Sequence, residues 1–212
     1  MLPSGPGEPD CPYVSRGGLK LRHALDRFGL DVAGMRCADL GASTGGFTDC
    51  LLQAGAASVY SVDTAYGQFA WKLRNDERVR VIERTNALHA ELPDDLGSGV
   101  DLVVIDLGWT KQERAIPAAL RWLGPGGQIV SLIKPHYETP RAKVMRGQKV
   151  EPLDDQTAER VAHEVAARMP GLGVRVLDMV PSPIRGGKTG KGAAKGNVEF
   201  LILLERAETG GV

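Results

Sequence analysis

The sequence predicts an α/β fold, in which a doubly wound, mostly parallel sheet of seven strands carries helices on both faces in a Rossmann-like arrangement. Short apolar segments alternate with helix-like segments of about 10–15 residues, as in βαβ units. A glycine-rich turn follows the first apolar segment. The length of 212 residues fits a single domain of this kind.

Seven segments rich in β-branched and aliphatic side chains supply the strands. They are Arg36–Leu40, Ser58–Val62, Val79–Glu83, Asp101–Asp106, Gln128–Lys134, Val174–Val180 and Val198–Leu204. Apolar residues at helical spacing predict the helices between them. These are a helix capped by Ser15 and ending at Phe28, then Gly46–Ala54, Gly67–Asn75, Gln112–Leu123 and Asp155–Met169.

The composition is that of an ordinary water-soluble protein. The 26 basic residues balance the 26 acidic residues, and 42% of the chain is hydrophobic. No apolar run approaches the ~20 residues that span a bilayer, and the N-terminus lacks a signal-peptide pattern. We therefore expect a cytoplasmic protein without membrane contact. Residues 1–14, rich in Pro and Gly, are expected to form a flexible tail before one domain at residues 15–212.

The segment Asp39–Phe47 joins the first strand to its helix and is rich in glycine. Glycines let the backbone approach a ligand closely, and the N–H groups of a helix N-terminus bind polar ligand atoms. The spacing G-x-x-x-G-G differs from the G-x-G-x-x-G of dinucleotide sites. Asp63 ends the second strand, where a carboxylate accepts hydrogen bonds from ribose hydroxyls.

Together these features predict a nucleoside site for S-adenosylmethionine, because Asp39 suits a cationic amino acid moiety better than a pyrophosphate. The residues expected to contact this cofactor are Asp39, Gly41, Ser43, Gly45, Gly46, Phe47, Asp63, Asn86 and Asp106. Asn86 is placed near the adenine edge. The alternative is that the glycines serve only tight packing of the strand against its helix.

Four charged residues are candidates for the chemistry. Asp106 and Lys134 end the fourth and fifth strands, so both face the crevice at the carboxyl ends of the sheet. Lys20 lies on the first helix, and Glu199 begins the last strand. Each alone has an ordinary structural explanation, and their occurrence beside a cofactor turn is what favours a catalytic role.

Several motifs in order resemble one family over about residues 13–205. They are Tyr13–Leu21, Asp39–Phe47, Val62–Gln68, Glu83–Asn86, Ile133–Pro135 and Gly196–Phe200. The chain resembles the FtsJ-type ribose 2'-O-methyltransferases, and within them the TlyA (hemolysin A) branch, which methylates ribosomal RNA. The resemblance implies a class I S-adenosylmethionine-dependent methyltransferase fold. It also implies a catalytic Lys-Asp-Lys-Glu tetrad, which falls here on Lys20, Asp106, Lys134 and Glu199.

The chemistry of the reaction agrees with this tetrad. A ribose 2'-hydroxyl is a poor nucleophile until its proton is removed or shared, so the enzyme must align the attack and manage one proton. A lysine can act as base near neutral pH only if its pKa falls. The hypothesis is that Lys134 polarises or deprotonates the hydroxyl, Lys20 tunes and positions Lys134, and Asp106 and Glu199 hold the two lysines.

The expected partner is RNA. Basic residues are concentrated in the segments 134–150 and 182–196, which flank Lys134 and Glu199. Arg16, Arg185 and Lys188 are the expected phosphate contacts, and Trp109 is a candidate for stacking on a base. The four histidines show no ligand spacing, so no catalytic metal is expected.

The sequence also departs from the family pattern. Few residues precede the Tyr13 motif, so the small N-terminal RNA-binding module of TlyA proteins is expected to be absent. Asp106–Trp109 and Lys134–Glu138 differ from the usual Asp-(Val/Leu)-Ser-Phe and Lys-Pro-Gln-Phe-Glu. Two alternatives therefore stay open, a small-molecule or nucleoside O-methyltransferase and a non-catalytic scaffold that binds ribosomes. The oligomeric state cannot be predicted.

Overall fold

The computed structural model describes residues 11–139, 153–187 and 196–207. These residues form a seven-stranded sheet, which confirms the predicted fold class. The strands are β1 (Arg36–Leu40), β2 (Ser58–Val62), β3 (Val79–Ile82), β4 (Val100–Ile105), β5 (Leu123–Ile133), β6 (Val174–Pro181) and β7 (Phe200–Arg206). Their order is β3-β2-β1-β4-β5-β7-β6, and β7 alone runs antiparallel to its neighbours.

Helices cover both faces of the sheet. They are α1 (Gly17–Phe28), α2 (Gly46–Gln53), α3 (Trp71–Arg74), α4 (Gln112–Leu120), α5 (Pro135–Glu138) and α6 (Asp155–Arg168). The apolar side chains of α1, α2 and α3 pack in one cluster, and those of α4 and α6 pack in another. Successive residues of β1 alternate between the two clusters, with Cys37 in the first and Ala38 in the second. This is the doubly wound arrangement.

The strand order places a crevice above the carboxyl ends of β1 and β4. The order in which the chain adds strands reverses there, because β2 lies on one side of β1 and β4 lies on the other. In sheets of this kind, ligands bind outside the carboxyl ends of the strands at such a reversal. The loops after β1, β2, β3, β4 and β5 therefore build the site.

Several predicted boundaries are wrong in detail. The first helix begins at Gly17 after Arg16, with no side-chain cap from Ser15. The third helix is a single turn, because Gly67 has a left-handed φ of 72° and donates its N–H to Glu83 Oε1 instead of starting a helix. The fourth ends at Leu120, and the chain turns there so that Leu123 begins β5.

Helix α5 was not predicted. It is one turn long, with Pro135 in its first position, directly after Lys134. A four-residue helix has no measurable periodicity, so the sequence pattern carries no signal for it.

The start of the described chain is attached to the core. The Val14 N–H donates to Asp49 Oδ2 at 2.8 Å, and Tyr13 packs so closely that a Cβ atom on Gly18 would overlap its ring. Residues 1–10 lie outside the described part, so the boundary predicted at residue 15 stays a prediction. None of the helices described is long and apolar enough to cross a membrane.

Candidate active site

The turn after β1 folds back tightly against the end of β4. Gly41 has a left-handed φ of 99°, and a Cβ atom there would lie 2.5 Å from the carbonyl oxygen of Asp106. Only glycine accepts both constraints. Ser43 also has a positive φ, 51°, so the turn curls with backbone groups facing the crevice.

Asp63 is held by this turn. Its Oδ2 accepts the Ser43 N–H at 2.7 Å, and its Oδ1 accepts the Ala65 N–H at 2.7 Å. Two backbone bonds fix the carboxylate at the end of β2 while leaving it partly exposed. A carboxylate has about four lone-pair sites, so Asp63 retains the capacity to accept ribose hydroxyls.

A cavity of about 690 Å³, which we term the nucleoside cavity, opens beside Asp63. Its wall includes Gly41, Ser43, Asp63, Asn86, Asp106, Trp109 and Lys134. The volume falls in the range of small-molecule sites. The structure therefore brings five of the predicted cofactor contacts to one cavity, namely Gly41, Ser43, Asp63, Asn86 and Asp106.

Four predicted cofactor contacts do not line this cavity, namely Asp39, Gly45, Gly46 and Phe47. Asp39 is fully buried behind the turn, where its Oδ2 accepts from the Thr48 N–H and hydroxyl. Gly45 packs on Phe69 and Leu73, which a Cβ atom would overlap. Gly46 similarly faces Ser15, since a Cβ atom on Gly46 would lie 2.2 Å from Ser15 Oγ. The alternative role of tight packing thus accounts for Gly45, and in part for Gly46.

Two ion pairs join the four tetrad residues. Lys134, at the end of β5, pairs with the Asp106 carboxylate at the end of β4. Lys20 Nζ, on α1, lies 2.5 Å from Glu199 Oε2. Glu199 is 4% exposed and Asp106 is 23% exposed, so both pairs are largely shielded from water.

The two pairs lie within electrostatic reach of each other. The Lys20 ammonium lowers the pKa of Asp106 together with Lys134, and the Glu199 carboxylate raises the pKa of Lys134 together with Asp106. A second cavity of about 280 Å³, the α1 cavity, has Lys20, Arg16 and Phe47 in its wall. It shares Gly41, Ser43 and Asp106 with the nucleoside cavity.

The expected fall in the lysine pKa is not found. Burial works against the charged form of Lys134, but the Asp106 carboxylate outweighs it, so the pKa of Lys134 is raised above its usual value. Burial likewise opposes the charge on Asp106, and the two ammonium groups outweigh it, so the pKa of Asp106 is lowered. Lys134 is therefore an ammonium and Asp106 a carboxylate at neutral pH, which contradicts a neutral lysine base in this state.

The segment after β6 closes the site over Glu199. Gly186 lies directly on this carboxylate, since a Cβ atom would be 2.0 Å from Oε1. Gly186 also pairs with Asn197 through two backbone hydrogen bonds. Arg185 donates to the Asp155 carboxylate and to the Gly196 carbonyl oxygen.

The structure describes two of the three predicted phosphate contacts. Arg16 and Arg185 both line the α1 cavity, where Arg16 donates to the Gly187 carbonyl oxygen at 2.9 Å. Lys188 lies outside the described residues, as does most of each basic segment.

Two residues of α5 were missed by the sequence reasoning. Tyr137 stacks on Trp109, with ring centroids 4.7 Å apart. His136 is buried against Tyr137, and burial together with Lys134 and Lys20 lowers its pKa to about 4. The sequence signal was the departure at Lys134–Glu138 from the family pattern, which places a histidine beside the second lysine.

Comparison with known proteins agrees with this geometry. The family model described as FtsJ-like methyltransferase matches residues 13–191. The 16S/23S rRNA (cytidine-2'-O)-methyltransferase TlyA of Mycobacterium tuberculosis is 43% identical over 192 residues, which are 91% of this chain and 68% of that protein. Hemolysin A of Brachyspira hyodysenteriae is 38% identical over 191 residues, which are 89% of this chain and 75% of the relative.

Solved structures show the same relationship. One named as a hemolysin, from Streptococcus thermophilus, superposes with a TM-score of 0.82 at 40% identity and covers 95% of this chain and 70% of its own. An S-adenosylmethionine dependent methyltransferase from Mesorhizobium loti, at 18% identity and a TM-score of 0.58, shares the fold over 87% of this chain and 96% of its own. This chain therefore belongs to the FtsJ-like methyltransferase family.

Proposed function

We propose that this protein methylates a ribose 2'-hydroxyl of ribosomal RNA in the cytoplasm, with S-adenosylmethionine as the methyl donor. The observation that carries the proposal is that two shielded ion pairs meet around Asp106, which lines both cavities, with Lys134 in the wall of the nucleoside cavity and Lys20 in the wall of the α1 cavity. The names of the relatives support RNA as the class of substrate.

The nucleoside cavity fits the donor. S-adenosylmethionine, when bound, supplies an electrophilic methyl group on a sulfonium. Asp63 would hold its ribose hydroxyls, Asn86 its adenine edge, and the turn at Gly41 would let its amino acid end lie against backbone. Asp39 is fully buried and its Oδ1 has no partner among the described residues, so it would act on the donor only from behind the turn.

Lys134 and Asp106 would manage the acceptor hydroxyl together. The Lys134 ammonium donates a hydrogen bond to the 2'-oxygen and leaves a second lone pair for attack. As the new O–C bond forms and the C–S bond breaks, the hydroxyl proton becomes strongly acidic. A carboxylate of low pKa such as Asp106 is then a sufficient acceptor for that proton.

Lys20 would form part of the wall on the substrate side, with the buried Glu199 behind it. Glu199 fixes the Lys20 ammonium beside Asp106, and Gly186 holds Glu199 in place. Arg16 and Arg185 would bind phosphates around the α1 cavity, and Lys188 is a further candidate phosphate contact. Trp109, supported by Tyr137, would stack on the target base. Phosphate contacts of this kind weaken as salt rises.

The test is transfer of tritiated methyl from S-adenosylmethionine to total RNA from a strain that lacks the gene, followed by mapping of the labelled nucleotide. We expect label at a ribose 2'-oxygen of ribosomal RNA with the unaltered protein, and none with Lys134→Ala. Label on nucleosides or small alcohols instead, with RNA unlabelled, would identify a small-molecule enzyme. Donor binding without any transfer would favour the scaffold alternative.

A further inference from the structure

Three large aromatic side chains are strongly exposed in the part of the chain that the structure describes. They are Tyr66 (67%), Trp71 (76%) and Trp109 (58%). All three lie in segments that follow the carboxyl ends of β2 or β4, at the same edge of the sheet as the site. Trp109 belongs to the nucleoside cavity, whereas Tyr66 and Trp71 line neither that cavity nor the α1 cavity.

Tyr66 carries a cation on its ring. The Arg84 guanidinium carbon lies 4.0 Å from the ring centroid. Arg84 is exposed and has a left-handed φ of 55°, and its N–H donates to the Ala65 carbonyl oxygen. The neighbouring Glu83 carboxylate is bound by Arg74 and by the Gly67 N–H, and no described carboxylate pairs with Arg84. A flat aromatic group with a positive charge over its ring is therefore exposed to solvent.

Trp71 extends this surface toward the glycine-rich turn. The Ala70 N–H donates to the Thr44 carbonyl oxygen, which ties the start of α3 to the turn. Lys72, next to Trp71, pairs with buried Asp49 yet keeps 58% of its side chain exposed. Arg84 follows β3 and Lys134 follows β5, and these two strands are four strand spacings apart in the sheet. Because adjacent strands lie about 4.8 Å apart, roughly 19 Å separates the ends of β3 and β5.

We propose that Tyr66, Arg84 and Trp71 form a stacking surface for unpaired nucleotides of the RNA that flank the methylated one. This inference rests on the proposed function and narrows its substrate to RNA that is unpaired around the target. Aromatic rings stack on bases while the cations beside them pair with phosphates. An apolar face of a protein partner would instead remove water from these cations without replacing it. Paired bases present no free face for stacking.

The first test is binding of an unpaired pyrimidine RNA 12-mer and of a duplex of the same length, measured by fluorescence anisotropy. We expect Tyr66→Ala and Trp71→Ala each to weaken binding of the single strand by roughly tenfold, within the range for loss of one stacked base. Tyr66→Phe should bind as the unaltered protein does. Arg160→Gln, which removes an exposed positive charge on α6, is the control and should leave RNA binding unchanged.

The second measurement separates this inference from the proposed function. With RNA methyl transfer as the readout, Tyr66→Ala and Trp71→Ala should raise KM and leave kcat within about twofold, because neither side chain touches the ion pairs. Unchanged KM and binding in both variants, or equal binding of duplex and single strand, would overturn the stacking surface while the proposed function stands. Absence of transfer by the unaltered protein would contradict the proposed function itself.

Discussion

Gly41 and Asp106 are in direct backbone contact, such that a Cβ atom on Gly41 would lie 2.5 Å from the Asp106 carbonyl oxygen. This contact joins the cofactor turn to the strand end that carries a catalytic candidate. We predict that Gly41→Ala displaces both, lowers the free energy of unfolding by about 2–4 kcal/mol and abolishes donor binding. Calorimetric titration with S-adenosylmethionine and urea unfolding measure the two effects.

The matched control for this change is Gly126→Ala. Gly126 also has a positive φ, 70°, but a Cβ atom there would meet nothing within 4 Å. It isolates backbone strain and should cost about 1 kcal/mol without affecting binding. Equal effects of the two substitutions on binding would show that the contact with Asp106 is unimportant.

Lys20 and Glu199 should contribute to the free energy of unfolding as a coupled pair. Glu199→Gln leaves the shielded Lys20 ammonium without its partner and should destabilise the protein by about 2–3 kcal/mol. The double variant Lys20→Met/Glu199→Gln should recover at least about 1 kcal/mol relative to the sum of the single changes. Urea unfolding at pH 7 provides the comparison, and additive single effects would argue against a coupled pair.

His136 should make stability depend on pH. Its pKa is about 4 in the folded protein and 6.5 in the unfolded chain, so the unfolded chain binds more protons between these values. The stabilisation is present at pH 7 and is lost as pH falls through 6.5 toward 4. Between pH 7 and 5 the loss is about 2 kcal/mol. His136→Gln should remove that part of the pH dependence, while His163→Gln, on the exposed face of α6, should not.

Periodic and positional patterns in the sequence predicted most of the fold. The limits of β1 and β2 were predicted to the residue. The single-turn helix α5 and the shortened α3 depend on local contacts such as Gly67 with Glu83, which no pattern in the sequence records.

The site was predicted less completely. Positions at strand ends correctly brought Asp63, Asp106 and Lys134 to one cavity, since carboxyl ends of parallel strands meet at one edge. The role of Asp39 stays a prediction, because the direction of its buried side chain depends on strand alternation and on its bonds to Thr48. The sequence also left open whether Lys134 polarises or deprotonates the hydroxyl, because the pKa of Lys134 depends on its distance to Asp106, which a linear sequence does not contain.

The central claim is that Lys134 and Asp106 act as a charged pair, with the ammonium orienting the hydroxyl and the carboxylate receiving its proton. The pKa of Lys134 is raised and that of Asp106 is lowered, so both charged forms persist across the neutral range. Lys134→Ala and Asp106→Asn should each reduce transfer by about 10²–10⁴-fold. Lys134→Arg, which keeps the charge, should retain more activity than Lys134→Ala.

The most direct measurement is the single-turnover rate of methyl transfer to RNA as a function of pH, with donor and RNA saturating. The charged pair predicts a rate that varies less than about threefold between pH 6 and 9, since neither group titrates in that range. A rate that rises about tenfold per pH unit over the same range would mean that a neutral lysine is the base, and would contradict the account.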